Sequence, residues 1–306
     1  MEVLPGFYPS KIRVPNYGWQ RMTTGIFILV VAAAFFHAVW NFIARKVRGN
    51  LIIIWFALFA GCLFLLPGIV ILASLAKIHL WIPSSAIGCV IATGLLHGLY
   101  FGLLSRTYEK GEISVVYPIL RGSGIGLTAI LAWLILNEEI SPIGLTGITL
   151  VFSGILLMGI PFLRRGGEVD QYRLAICVGA SIAAYSLVDK VGVSKMTPVL
   201  YIWFMFLVAA AVLWPAVIKR YRGEVLNTAR SNIGHIMLIG VGSIGTYLMI
   251  LFALQLAPVS YIVAAREFSV VIGTLLGVTF LRERMTIFKA TAILCITLGL
   301  FLIKAG

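Results

Sequence analysis

The sequence predicts an all-α integral membrane protein of ten transmembrane helices, arranged as two inverted five-helix repeats. Three observations predict it. Of 306 residues, 60% are hydrophobic and only 11% are charged, with a mean hydropathy of +1.03; soluble domains carry about 25% charged residues. The chain divides into ten apolar stretches near the ~20 residues that a helix needs to cross the hydrocarbon. A shift of 145 residues then lays the first five stretches on the second five without a gap. Trp40 falls on Tyr185, Asn41 on Ser186, Arg45 on Lys190, Arg121 on Arg266, Glu138 on Glu283 and Gly154 on Gly299. Five spans is an odd number, so the second repeat starts on the opposite side. The halves are therefore related by an axis in the membrane plane.

Residues 1–23 read as an N-terminal tail. They hold Lys11, Arg13 and Arg21 among prolines and lack the apolar core of a cleavable signal peptide. The first repeat covers 24–162 and the second 172–304, with Gly166-Gly167 at the junction. The spans are about 24–44, 51–75, 84–107, 113–136, 142–162, 172–190, 198–218, 233–255, 259–281 and 286–304, and the longest connection is 219–232. Nothing is left over for a soluble domain, which sets aside most catalytic and DNA-reading classes. The net charge of +13 reads as the Lys/Arg load of membrane loops; no basic run is interleaved with aromatics, so no nucleic-acid partner is expected. Cys62, Cys89, Cys177 and Cys295 lie singly in apolar segments and read as small buried hydrophobes. No metal or other cofactor is expected.

The first span carries His37, Asn41 and Arg45 at i, i+4 and i+8, one helix face, with Trp40 beside them. Arg45 lies near the helix end, where it can snorkel to the interface. His37 fits a helix–helix hydrogen bond, a ligand contact or a proton relay. The third span has Gly94, Gly98 and Gly102 at spacing four, a groove for close helix packing. His97 and Tyr100 flank it. In the fourth span, Pro118 and the glycines from Gly122 to Gly126 predict an unwound or kinked segment around Tyr117 and Arg121. The sixth span repeats the polar stripe as Ser181, Tyr185 and Asp189. Thr128 and Ala132 of the fourth span match Gly273 and Gly277 of the ninth, which predicts contact between those helices. Glu138, Glu139 and Glu283 stand at helix ends and read as caps or loop ion pairs.

Arg121 and Arg266 are the sharpest signal. Each lies about 12 Å inside its helix at 1.5 Å per residue, against a half-thickness of about 15 Å. A charge at that depth costs about 2.5–3.5 kcal/mol on insertion scales. Entering from opposite faces, the two should meet near the midplane. Each is either a structural pin or a bidentate donor to a carboxylate or phosphate. Glu267 is the acid deepest in a span; it can neutralise Arg266, engage a substrate amine or take a proton.

The segments HAVWNFIARK (37–46), YPILRGSGIG (117–126), LILNEE (134–139), REFSVVIGTLLG (266–277) and LRER (281–284) resemble the drug/metabolite transporter superfamily, in its EamA-type ten-helix branch. The resemblance covers about 24–304. It implies inverted repeats, a central cavity and cytoplasmic termini, whereas the loop Lys/Arg distribution favours external termini under the positive-inside rule. Small multidrug members of the superfamily carry a glutamate in the first helix where His37 stands here, which argues against cation export by that residue. The expected function is secondary transport of a small polar metabolite bearing an anionic group: an amino acid, organic acid, phosphate or phosphonate compound. Arg121, Arg266, Glu267, His37, Trp40, Asn41, Tyr185, Asp189, His97, Tyr100 and Tyr117 are the expected substrate-binding residues. Alternatives are a multidrug or cation exporter, a flippase for lipid-linked substrates and, less favoured, a membrane-embedded enzyme. The GSGIG segment lies in an apolar helix, not after a strand, so it is no phosphate loop. Energy then comes from a gradient or from the substrate itself, with proton or ion coupling as one option. The expected partners are the substrate and the lipid bilayer of a plasma (inner) membrane, with no oligomer required.

Overall fold

The computed structural model describes residues 22–44, 47, 50–75, 78, 80–110, 113–163 and 169–306. The tail to residue 21, Arg45 and the Gly166-Gly167 junction lie outside the described residues. Among those described, twelve helices account for the regular structure: α1 (Thr24–Ala44), α2 (Leu51–Ser74), α3 (Ser84–Lys110), α4 (Ile113–Leu136), α5 (Pro142–Leu163), α6 (Val169–Val193), α7 (Pro198–Arg220), α8 (Val225–Ser231), α9 (Ile233–Leu256), α10 (Val259–Arg266), α11 (Phe268–Leu281) and α12 (Ile287–Ala305). Ten spans are long and apolar enough to cross a membrane, the ninth being α10 and α11 together. The short α8 lies in the long connection. Large apolar side chains such as Ile28, Phe35, Leu63, Trp133, Phe280 and Phe301 stand exposed on the rim, as a lipid-facing surface requires.

Helix starts follow local chemistry. The Asn50 side chain accepts from Ile52 N and Ile53 N at the start of α2, and Thr286 accepts from Lys289 N at the start of α12. Pro198 opens α7, where its missing N–H would have no partner anyway.

Lipid tails are as apolar as leucine, so helices associate in a membrane through close packing and hydrogen bonds. Glycines supply the closeness here. A Cβ on Gly299 would lie 2.6 Å from the Gly147 carbonyl oxygen, and one on Gly154 would lie 3.0 Å from that of Ala292. Gly147 is the repeat-equivalent of Ala292, and Gly154 of Gly299. The two contacts therefore exchange under the 145-residue shift, and the pseudo-two-fold axis runs between α5 and α12. The other interfaces exchange too: α3 packs on α6 and α7, and α9 packs on α1 and α2. Gly94 and Gly98 let α3 seat on α7, since Cβ atoms there would meet Val208 at 2.4 Å and Val212 at 2.6 Å. The expected packing groove is thus present.

Two expectations need correction. The fourth span is not unwound: α4 runs unbroken through Pro118 and Gly122–Gly126. Pro118 falls in the first turns of the helix, and the glycines serve packing, Gly122 and Gly126 against Leu156 and Phe152 of α5 and Gly124 against Ile182 of α6. The break occurs in the ninth span, at Glu267. There Glu267 N bonds Ala264 O and Val270 N bonds Glu267 O, both three residues apart, a tightened turn of the 3₁₀ kind. Helices four and nine do touch, as expected, but through the α10 part of the ninth span and not at Gly273 and Gly277. The face of α4 meets α10, while α11 lies against α1. Gly273 has nothing within 4 Å of an added Cβ, and Gly277 faces the Glu283 carboxylate.

Candidate functional site

A cavity of about 100 Å³ lies between the repeats. Its wall takes His37 and Trp40 from α1, His97 and Tyr100 from α3, Arg121 from α4, Tyr185 from α6, Ser243, Thr246 and Tyr247 from α9, and Arg266 from α10. A wider groove of about 670 Å³ sits at the α4–α5 turn beside Ile130, Trp133 and Leu145, which are exposed on the rim. Of the two acids between these helices, Glu138 and Glu139, Glu138 is committed elsewhere. Its oxygens accept from Val259 N and Ser260 N, and so cap α10, as the helix-end reading expects.

The two half-chain arginines meet at one acid. Arg121 Nη1 donates to Glu267 Oε1 at 2.9 Å, and Arg266 Nε lies 3.5 Å from the same oxygen. The tight turn at Glu267 sets this geometry, because it joins the helix that ends on Arg266 to the one that begins at Phe268. Arg121 Nη2 donates to His37 Nε2 at 3.2 Å. A guanidinium only donates, so His37 accepts with a bare Nε2 and carries its proton on Nδ1. The Tyr117 ring lies 5.2 Å from the Arg121 guanidinium carbon, and Trp40 stands edge-on to His37 at 5.2 Å.

The repeat breaks its own symmetry here. His37, Tyr117 and Glu267 serve Arg121 or adjoin it; their equivalents are Ile182, Ile262 and Gly122. Arg266 thus lacks the counterpart partners, and the Tyr185 side chain lies beside it. Arg121 Nε, Arg266 Nε, Glu267 Oε2 and Trp40 Nε1 are buried without a hydrogen-bond partner among the described residues. An unsatisfied buried polar group costs roughly 1–3 kcal/mol, more when charged, so these atoms are places for a ligand or water. At the wall itself two cations face one carboxylate.

A second polar cluster lies behind the wall. Asp189, fully buried, accepts from Thr93 Oγ1 of α3, from Tyr201 OH of α7 at 2.9 Å and from Tyr247 OH of α9. His97 Nδ1 lies 3.1 Å from Thr93 Oγ1, and its ring stacks on Tyr185 at 4.1 Å.

Of the residues expected at the site, His37, Trp40, His97, Tyr100, Arg121, Tyr185 and Arg266 are brought together on the wall. Glu267 bridges the arginines, and Tyr117 backs Arg121. Asn41 and Asp189 do not line the cavity. Asn41 is exposed and gives its amide to His37 O at 2.8 Å; Asp189 is screened by Tyr247 and Thr93. Sequence reading missed Ser243, Thr246 and Tyr247, although polar residues at spacing three and four in an apolar helix signal an inward face. It also missed Thr93, one turn before His97. Tyr201 near the start of α7 gave no signal, because tyrosine near a span's end is an ordinary interface anchor.

The chain matches the EamA-like transporter family over residues 24–160 and 172–305. No curated protein matches it. Among solved structures, one described only as the crystal structure of a protein superimposes with a TM-score of 0.68, at 14% identity, over 92% of this chain and 98% of its own. That likeness speaks for the fold alone.

Proposed function

Because the chain belongs to the EamA-like transporter family, whose members carry small solutes across membranes, we propose that it moves a small polar metabolite bearing an anionic group. Amino acids, organic acids and phosphate or phosphonate compounds are the classes that fit. The observation that carries this reading is Arg266: buried, with Nε lacking a hydrogen-bond partner, and on the cavity wall beside a second arginine that already holds Glu267. A guanidinium fork suits carboxylate and phosphate oxygens. The cavity is smaller than the ~300–1,000 Å³ of drug-sized pockets, which favours a metabolite over a bulky lipophilic compound. A cation would enter against the two arginines. Transport proceeds by alternating access, the repeats 24–162 and 172–304 rocking about the cavity, in a plasma or inner membrane with cytoplasmic termini.

The test is uptake into proteoliposomes of candidate organic anions, amino acids and organic cations by the parent and by Arg121→Lys and Arg266→Lys proteins. Lysine keeps the charge and removes the fork. Losing one charge-assisted hydrogen bond, about 1.5–3 kcal/mol, should weaken anion handling by roughly 10–100-fold. Anionic solutes should be taken up by the parent and lost in both variants. Uptake of cations alone, or anion uptake at parental rates in both variants, refutes the anionic substrate.

A further inference from the structure

We propose that Asp189 is a proton-binding site that couples transport to a proton gradient, loaded from the cavity through Tyr247 and through the His97–Thr93 pair. The proposal rests on membership of a transporter family and is independent of the substrate's charge.

Asp189 is fully buried within a span, and the groups that hold it are hydroxyls. Thr93 Oγ1 and Tyr201 OH donate to Oδ1, and Tyr247 OH donates to Oδ2. The charged and titratable groups around it are otherwise occupied. On its own helix, the neighbouring Lys190 donates to Leu254 O and Ala257 O at the end of α9, and Tyr185 faces the cavity. On α4, Arg121 is bonded to Glu267 and His37. On α10, Arg266 stands across Tyr185 and Tyr247. On α3, His97 reaches Asp189 through Thr93, with Cys89 one turn further along. A carboxylate taken out of water keeps its charge only with strong compensation, and three neutral donors are weaker than an arginine. Asp189 is therefore the carboxyl group to which the structure assigns the proton.

Both relays start on the cavity wall, since Tyr247 and His97 line it. In one, Tyr247 passes its phenolic proton to Asp189 Oδ2 and regains one from a hydronium ion in the cavity. In the other, His97 takes a cavity proton on its second ring nitrogen and releases its Nδ1 proton, which lies between Thr93 O at 2.9 Å and Thr93 Oγ1 at 3.1 Å, to Oγ1, while the Thr93 proton moves to Asp189 Oδ1. Either route leaves Asp189 neutral; the first restores Tyr247, and the second leaves His97 as the opposite neutral tautomer, which must return its proton to Nδ1 before another cycle.

The consequence is mechanical. Ionised, Asp189 accepts three hydroxyls and ties α6 to α3 of the first repeat and to α7 and α9 of the second. Protonated, it becomes a donor itself and accepts less strongly, so one hydroxyl must turn away. The α3–α6 interface joins the two repeats, and a transporter has to loosen such an interface to switch sides.

Infrared difference spectra of the purified protein in lipid, titrated with pH and without any solute, test the site directly. The parent should gain a carboxylic-acid C=O band as the pH falls. Asp189→Asn should lose that band completely, while Glu267→Gln should keep it. If Asp189→Asn does not fold, Tyr247→Phe serves, since it keeps the ring and removes one donor to Oδ2; the band should then move to higher frequency. A band that persists in Asp189→Asn, one unmoved in Tyr247→Phe, or a carboxylate that answers to sodium and not to pH overturns the proposal. None of these readouts depends on which solute is carried.

Discussion

Arg121 and Arg266, equivalent residues of the two repeats, reach the same carboxylate oxygen of Glu267, at 2.9 and 3.5 Å. Equivalent side chains that meet across a pseudo-two-fold axis repel one another unless something lies between them. Glu267 supplies one negative charge for two positive ones and leaves its second oxygen without a partner. Under the proposed function, this is the place that the anionic group of the substrate would occupy.

Replacing Glu267 by Gln should therefore destabilise the empty protein. Removing one partner of a buried ion pair costs about 3–5 kcal/mol, because the remaining charge stays buried. The melting temperature in detergent should fall well below that of the parent. Inorganic phosphate, supplying the missing charge, should restore part of the loss, and tetramethylammonium should not. Thermal unfolding followed by tryptophan fluorescence measures both. An unchanged melting temperature would mean that Glu267 does not balance the arginines.

Much of this was legible in the sequence, for identifiable reasons. The spans were readable because the hydrocarbon thickness fixes helix length. The repeat was readable because Arg121, Glu138 and Gly154 recur at one offset. The meeting of the arginines followed from depth and opposite entry. The break at Glu267 was not readable, because residues 259–272 around it include neither proline nor glycine; the buried ion centre sits at that turn, not a helix-breaking residue. The glycines after Arg121 misled for a related reason. Glycine weakens a helix and also permits close packing, and only the positions of Phe152, Leu156 and Ile182 show which effect applies. Asp189 was placed on the correct helix face, but nothing in its spacing shows that Tyr247 and Thr93 stand between it and the cavity.

His37 holds Arg121 by accepting a hydrogen bond from Nη2, and an acceptor is all that this role needs. His37→Gln retains one and should keep most transport. His37→Leu removes it and frees a guanidinium donor in a buried place, which costs about 1–3 kcal/mol and roughly a tenfold loss of apparent affinity. Initial uptake rates against solute concentration distinguish the outcomes. Equal losses in both variants would point instead to a role for the imidazole itself.

Two glycines give a paired test of the packing. Gly299→Ala places a methyl carbon 2.6 Å from the Gly147 carbonyl oxygen, a clash that neither α5 nor α12 can relieve by a side-chain rotation. Overpacking costs about 1–3 kcal/mol, and the yield of monodisperse protein should fall. Gly273→Ala meets nothing within 4 Å and should be neutral, or stabilising by about 0.5–1 kcal/mol through the better helix propensity of alanine. Size-exclusion profiles of the two variants, made side by side, should differ clearly.

The sign of the cavity can be read without knowing the solute. Ser243 lies on the wall, on α9, a helix that supplies no charged group to it. A cysteine there, in a background lacking Cys62, Cys89, Cys177 and Cys295, would react with thiol reagents that enter when the cavity opens. The proposed anion preference requires that the two arginines outweigh Glu267 on the wall and Asp189 behind Tyr247, and in a site poorly screened by water such a bias is felt strongly. An anionic methanethiosulfonate should therefore modify Ser243→Cys faster than a cationic reagent of similar size. Adding Arg266→Gln removes the excess charge and should bring the two rates together. The comparison holds access constant, because the same cysteine meets both reagents through the same opening. Faster modification by the cationic reagent in the parent background would contradict an electropositive cavity, and with it the preference for an anionic substrate.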